Sequence, residues 1–325
     1  VIRRVPDVLH RHGAGYHVIQ LTIGETPLED NGRIEVVYGY RGAGGPGTKC
    51  PPLAKTYSFP VFISQRHVLG GLRFNEDKLI SFDSLFVNHG NVSTNLVKDS
   101  AAFNPSVEVR GGRPEKLKLI ASPRDGSKVM VTANILDVHG NLSPEGNGSV
   151  EITGIGSMTV SNGYGRAGFD IPGKGVQRLT GLCRELNLSA FGYPFKTGQR
   201  LAWGEIHSHS GISDGLGTDE ENYMSGIKAG LDFGALSDHD TLMEKDPTLW
   251  DKTVENAAIY NDEPEFIALL GYEALAYEGD GIAGHINIYY PGSQGEMAGR
   301  PQLSEIPDLC RKNNALAIPH HTMYG

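Results

Sequence analysis

No apolar run in this chain approaches the roughly 18 residues that a membrane-crossing helix needs, so no segment reads as such a helix. Cysteine is scarce. Cys50, Cys183 and Cys310 are three in 325 residues, far apart and odd in number, which excludes a disulfide framework and a CxxC metal knuckle. Also missing are a G-x-S-x-G elbow, a Walker loop, and a G-x-G-x-x-G that follows a strand and opens a helix. Serine-nucleophile, P-loop and dinucleotide chemistry therefore lack their usual local signatures. Arg41–Gly47 (RGAGGPG) is glycine-rich, but no GK[ST] follows and it reads as a loop. The first half has no long amphipathic helical pattern. The chain opens on Val1 with no signal-peptide pattern behind it; either a removed leader or a fragment fits, and the compartment stays open.

What is present fits a multidomain, turn-rich protein. The length suits two or three domains, the 39% hydrophobic content can bury cores, and 43 glycines with 18 prolines suit short strands and turns. The net charge of −9 is unevenly spread: residues 200–325 hold 7 Lys/Arg against 21 Asp/Glu, the rest 22 against 17. So acidic a C-terminal part repels a phosphate backbone, and no nucleic-acid partner is expected. The shift also places a boundary near 196–200.

Residues 1–105 read as a β-rich domain, with Tyr16–Ile23, Arg33–Tyr40, Tyr57–Ile63 and Leu79–Val87 apolar or alternating between Gly, Pro and Asn clusters. Its binding partner is unknown. In residues 106–196 the strands Lys116–Ala121, Lys128–Asp137, Ser149–Thr153, Gly168–Ile171 and Gln177–Asn187 recur at intervals near those of a β-sandwich. Asp137-Val-His-Gly-Asn141 looks like a strand ending in a tight turn. This stretch resembles, by spacing, the immunoglobulin-like repeats of modular bacterial proteins.

From residue 197 the pattern becomes strand–helix–strand. Leu201–Ile206 is a short strand, Thr218 and Glu221 form a capping box, and Gly230 stops a helix over 219–229. Asp232–Ser237 and Phe266–Gly271 read as strands separated by a helix through Trp250, Val254, Ala257 and Ala258. His285–Tyr290, a helix over Ser304–Asn313 and the strand Ala315–Ile318 follow. Alternation of this kind predicts a parallel α/β arrangement with polar residues at the strand ends.

Six of the twelve histidines lie between His207 and His321. A strand through W-G-E-I-H-S-H presents His207 and His209 on one side, because side chains repeat every second residue. Ser213-Asp214-Gly215 adds a carboxylate in a sharp turn. Asp238-His239, Glu273, His285 and His320-His321 then sit beside successive strands. Singly each has an ordinary explanation, such as a helix cap, a surface carboxylate or a satisfied core histidine. Together they predict a shared metal site. His10-Arg-His12 and His17, with no such company, read as solvated.

The motifs L-x-W-G-E-I-H-S-H-S-x-x-S-D-G, A-G-L-D-F-x-A-L-S-D-H, L-L-G-Y-E, G-H-x-N and P-H-H resemble the PHP (polymerase and histidinol phosphatase) superfamily over residues 200–325. The branch implied is a poorly characterised one with a β-rich region ahead of the PHP part. The resemblance implies that residues 197–325 are the first part of a distorted (β/α)7 barrel holding two or three divalent ions (Zn, Mn or Fe). His207 and His209 would hold the first ion and Glu273 would bridge it to the second. His285 and His320 would hold the second, Asp214 and His239 the third. His321 either replaces His320 or faces the substrate, Asp238 orients a ligand through a hydrogen bond, and Glu205 is structural or supports His207. The family's late Asp-x-His pair does not occur before Gly325, so an incomplete domain is expected.

Such ions lower the pKa of a bound water to about 7 and clamp phosphoryl oxygens. The expected function is a metal-dependent hydrolase, foremost a phosphoesterase acting on a phosphorylated small molecule; Arg300, Lys245 and Lys252 could recruit an anion, but each reads first as a solvated surface charge. Two alternatives stand beside it: C–N bond hydrolysis on the same site, as in amidohydrolase-like barrels, and a binding or cell-surface module with a vestigial site. Replacing both His207 and His209 with alanine is expected to abolish metal retention, read by elemental analysis. The far-ultraviolet β signal of the rest of the chain should persist.

Overall fold

A computed structural model describes residues 106–320 apart from 174, 216, 263 and 264. It also describes residues 51–58 and the strand backbones at 2–9, 15–21, 61–64, 74–75, 78–79 and 100–103. The chain divides into two compact units, Val1–Pro51 with Ser64–Phe82, and Pro52–Ile63 with Asp83–Gly325. In the first, Ile2–Leu9 pairs antiparallel with Gly15–Leu21, and Phe74–Asn75 with Lys78–Leu79. The expected strand Arg33–Tyr40, most of Leu79–Val87, the loop Arg41–Gly47, His10, His12 and His321 lie outside the described residues.

In the second unit, two antiparallel sheets share one core. Tyr164–Asp170, Lys128–Leu136 and Lys116–Pro123 form one. Gly156–Val160, Gly148–Ile152, Thr180–Cys183 and Leu188–Phe191 form the other. Alternate residues Val129, Val131, Ala133 and Ile135 point inward against Val150, Ile152, Met158, Val160 and Cys183, all buried. Asn162 and Gly163, at φ 51° and 80°, turn the chain between the sheets in a two-residue hairpin closed by Ser161 and Tyr164. At the Asp137 turn the buried carboxylate accepts from the backbone N–H groups of Gly112, His139 and Asn141 and from the Asn141 amide.

Lys128–Leu136 breaks its alternation because its other face is covered too. Thr132 and Asn134 are buried polar residues there, and the Asn134 amide donates to the Lys228 carbonyl at 2.9 Å. Arg124 meets Asp232 at 2.7 Å, and Arg166 reaches the same carboxylate at 3.5 Å and donates to the Glu265 carbonyl at 2.9 Å. Asp232 also accepts from the Trp203 N–H at 2.9 Å. Asp232, with Glu265 3.7 Å from Arg166, thereby pairs two arginines of the antiparallel sheets with carboxylates of the C-terminal part, and both parts belong to one compact unit.

That C-terminal part is a curled half-barrel sheet of five strands, in chain order Gly204–Ser208, Phe233–Leu236, Ile267–Glu278, Gly281–Tyr290 and Leu316–His320. Helix α1 (Asp219–Ala229) starts at the Thr218/Glu221 capping box and stops at Gly230, φ 85°. Helices α2 (Asp240–Met243) and α3 (Pro247–Tyr260) precede the third strand, and α4 (Ile306–Asn313) the fifth. The first three strands are parallel, as α/β alternation predicts. The last two run antiparallel to their neighbours, which departs from the expected arrangement. The reason is local: Gly279, φ 60°, and Asp280 reverse the chain directly between Glu278 and Gly281, leaving no room for a crossover helix. The core side of the sheet carries Leu270, Tyr272, Ala274, Ala276, Ile286, Ile288 and Tyr290, packed on Met243, Trp250, Ala257 and Ile306. Replacing Asp232 with alanine leaves Arg124 buried without its carboxylate and Arg166 with only the more distant Glu265. Urea unfolding is expected to show a loss of about 3 kcal/mol.

Candidate metal centre

Strand pleating sorts the third and fourth strands into an apolar face, just described, and a polar one. Glu273 lies on the polar face of the third strand; His285, Asn287 and Tyr289 lie on that of the fourth. Register does the rest. Glu273 stands opposite Asn287, and His285 stands opposite Leu275 on one side and His320 on the other. His239 pairs with Glu273 in a parallel bridge beyond the end of the second strand, and His207 and His209 leave the first strand beside them. Glu273 and His285 therefore sit inside long strands rather than at strand ends, because the third strand runs on to Glu278.

Glu273 is fully buried. One carboxylate oxygen lies 2.7 Å from His285 Nδ1, and the other lies 3.2 Å from His209 Nε2, 3.3 Å from His239 Nδ1 and 3.9 Å from His207 Nε2. Asp214 reaches His209 Nδ1 at 3.4 Å and His239 Nε2 at 3.7 Å. Three groups have ligand atoms within 4.8 Å of one another and could hold a cation: His207–His209–Glu273, His209–Asp214–His239 and His239–Glu273–His285. His320 is close by, its ring stacked on that of His207 at 3.6 Å between centroids, but it belongs to none of these groups. His209, His239 and Glu273 each sit in two of them, whereas the expectation from sequence gave His209 and His239 one ion each.

The donor set fits a divalent ion. The Nε2 atoms of His207 and His209 are 3.2 Å apart. Two nitrogens each about 2.0–2.1 Å from one cation have that separation at a roughly tetrahedral angle. Asp238, buried, accepts from the Ser210 N–H at 2.8 Å, the Ser210 hydroxyl at 2.7 Å and the Ser213 hydroxyl. Ser213 Oγ in turn lies 3.1 Å from His209 Nδ1. Asp238 thus orients His209 through Ser213 rather than by a direct bond. Glu205 accepts from the backbone N–H of His207 and does not reach its ring. Arg300 is paired with Glu244 at 2.9 Å.

Sequence reading quoted Asn287 and Ser237 within motifs but gave them no role; they lie 2.7 and 3.2 Å from His207 Nδ1. The signal was there for Asn287: it follows His285 by two residues and so shares its face. Ser213 was noted only as part of a turn.

Burial works against charge on both partners of the central cluster, and the contacts outweigh it. Glu273 is held well below the usual carboxylate range by hydrogen bonds from His209 and His285 and the nearby His239. His209, despite its burial, is raised by Glu273, Asp214 and Asp238, and His285 is raised chiefly by its bond to Glu273. Burial raises Asp238.

No family model and no curated protein matches the chain. Among solved structures, a β-glucuronidase of Parabacteroides merdae with glycerol in its active site is 10% identical with a TM-score of 0.24, over 30% of this chain and 15% of that one. The apo β-glucuronidase 3 of Bacteroides uniformis is 14% identical with a TM-score of 0.18, over 62% and 31%. The chain spans a third or less of these proteins, and likenesses at these scores carry no argument about fold or activity.

The raised histidines set a pH dependence. In metal-stripped protein they contribute stability that is complete below their unfolded pKa of about 6.5 and is lost as pH rises through the higher folded values. Cation binding needs the rings neutral, so affinity is expected to fall on acidification, beginning above about pH 6.5. Glu273→Gln should lower the pKa of His209 and His285, as measured by NMR titration of the histidines, and should weaken zinc binding across the pH range.

Proposed function

We propose that this protein is a metal-dependent hydrolase of the PHP type, most directly a phosphoesterase, built on the first part of a distorted (β/α)7 barrel behind an immunoglobulin-like sandwich. The observation that carries the reading is the convergence of His207, His209, Asp214, His239, Glu273 and His285 from four separated segments around one buried carboxylate. A structural role alone gives no reason to place four imidazoles and two carboxylates within bonding range of one another. The order and spacing of the motifs add family-level support.

In this reading His207, His209 and Glu273 hold one divalent ion. Glu273 and His285, with His320 beside them, hold a second, and Asp214 and His239 hold a third. Bound ions supply Lewis acidity, a water of lowered pKa and positive charge to offset that of a phosphoryl group. The chain's own residues keep that place ordered. Glu273, fixed inside its strand, gives the imidazoles a common acceptor, and Asp238 holds Ser213 against His209. The acidic exterior favours entry of cations and leaves recognition of an anionic small molecule to the charge they bring.

The test is elemental analysis of the purified chain, followed by chelation, reloading with zinc or manganese, and a substrate panel. Bound divalent metal together with phosphate release from generic phosphoesters is expected, and chelation should reduce the rate at least 100-fold. Ammonia or amine release without phosphate release selects the C–N hydrolase alternative. A chain that retains no metal and hydrolyses neither class overturns the hydrolase reading of this stretch.

A further inference from the structure

The backbone donors of Glu273, Leu275 and Tyr277 lie on one edge of the third strand, since N–H groups on an edge recur every second residue. That edge faces the second strand, which ends at Leu236, so the later donors need other acceptors. Glu273 N–H donates to the Asp238 carbonyl at 3.0 Å, and Tyr277 N–H to the Pro301 carbonyl at 2.9 Å. Between them, Leu275 N–H donates to a side chain, Asp240 Oδ2, at 3.1 Å. The same oxygen accepts from the Arg300 N–H at 2.8 Å.

An acid in the first turn of a helix is ordinary, and Asp240 opens α2. Its carboxylate nevertheless bonds outside α2, to the third strand and to the loop after the fourth. It is fully buried, and Oδ1 has no hydrogen-bond partner among the described residues. A buried polar atom without a partner costs stability, a cost that favourable charge at a helix start does not require. The bonded oxygen is the part that acts.

What it holds is the segment bearing His239. Residues 238–240 are fastened to the third strand at two points, the Asp238 carbonyl on one side of His239 and the Asp240 carboxylate on the other. Between these points the His239 backbone is extended, at φ −63° and ψ 139°. Its ring lies with Nδ1 3.3 Å from Glu273 and Nε2 3.7 Å from Asp214. A ring that faces two carboxylates at once needs a fixed aim, and loss of one fastening loosens it. We propose that Asp240 is a positioning residue for the metal centre, acting through the place of one acceptor oxygen and not through its charge. This rests on the metal reading of the site and adds to it a residue outside the ligand set.

Zinc affinity of the full chain and the visible spectrum of its cobalt(II)-loaded form test the proposal. Asp240→Asn keeps an oxygen for both N–H groups and puts its amide nitrogen where Oδ1 stands, so it is expected to match wild type in both. Asp240→Ala should bind zinc roughly 10–100-fold more weakly, with shifted cobalt bands, in protein that circular dichroism shows to be folded. Asp240→Glu keeps the charge but displaces the oxygen by a methylene, and should behave like the Ala variant. A merely structural role lowers stability and leaves the affinity and spectrum of folded protein unchanged, so an Ala variant that matches wild type overturns the proposal. So does an Asn variant as weak as the Ala one, which assigns the effect to charge; both results leave the metal reading standing. Wild-type protein that binds neither zinc nor cobalt overturns that reading and the proposal together. If the Ala variant does not fold, the Asn and Glu variants decide: a Glu variant that matches wild type, or an Asn variant weaker than the Glu one, overturns it.

Discussion

The buried carboxylate of Glu273 is the constraint on which the C-terminal half turns. A charged carboxylate in the middle of a strand and out of reach of solvent is tolerated only with compensating partners. His209, His239 and His285 provide them. The same contacts raise His209 and His285 and lower Glu273. A cluster that binds protons this strongly has the donors, charge and spacing to bind a cation instead.

Strand register delivers these partners. The apolar faces of the third and fourth strands lock onto α3 and α4 through Tyr272, Ala274, Ile288 and Tyr290. A slip of one residue would turn that face outward, so the core fixes the register. The polar face then has no freedom: Glu273 falls opposite Asn287 and diagonal to His285, and His285 falls opposite His320. Packing on one side of the sheet thereby positions chemistry on the other.

The two antiparallel sheets ahead of it belong to the same compact unit. The three-stranded sheet is covered on both faces, by its own core and by the segment after α1, and at that contact Asp232 pairs with Arg124 and Arg166, with Glu265 also near Arg166. Asp232 immediately precedes the second strand, whose far end carries Asp238 and His239. These sheets thus hold the root of a strand that bears site residues at its tip.

Much of this was legible in the sequence. The capping box at Thr218, the stop at Gly230, the alternation through Val129–Ile135 and the turn at Asp137 depend on near neighbours, and local chemistry suffices to read them. The His-x-His pair and the histidines and acids that follow announced a cluster, because those side chains rarely gather beside strands without a use. Three things needed the fold. The antiparallel return after Gly279 follows from a two-residue reversal whose consequence is read only once both strands are paired. The place of His239, between Asp214 and Glu273, and of His320, stacked on His207, follows from sheet curvature, to which residues far apart in the chain contribute. The roles of Ser213 and Asn287 depend on which ring nitrogen each one faces. The sequence by itself determined which side chains share a face, since pleat and helix period are properties of the backbone. Tertiary structure alone decided which faces meet, since that depends on non-local packing.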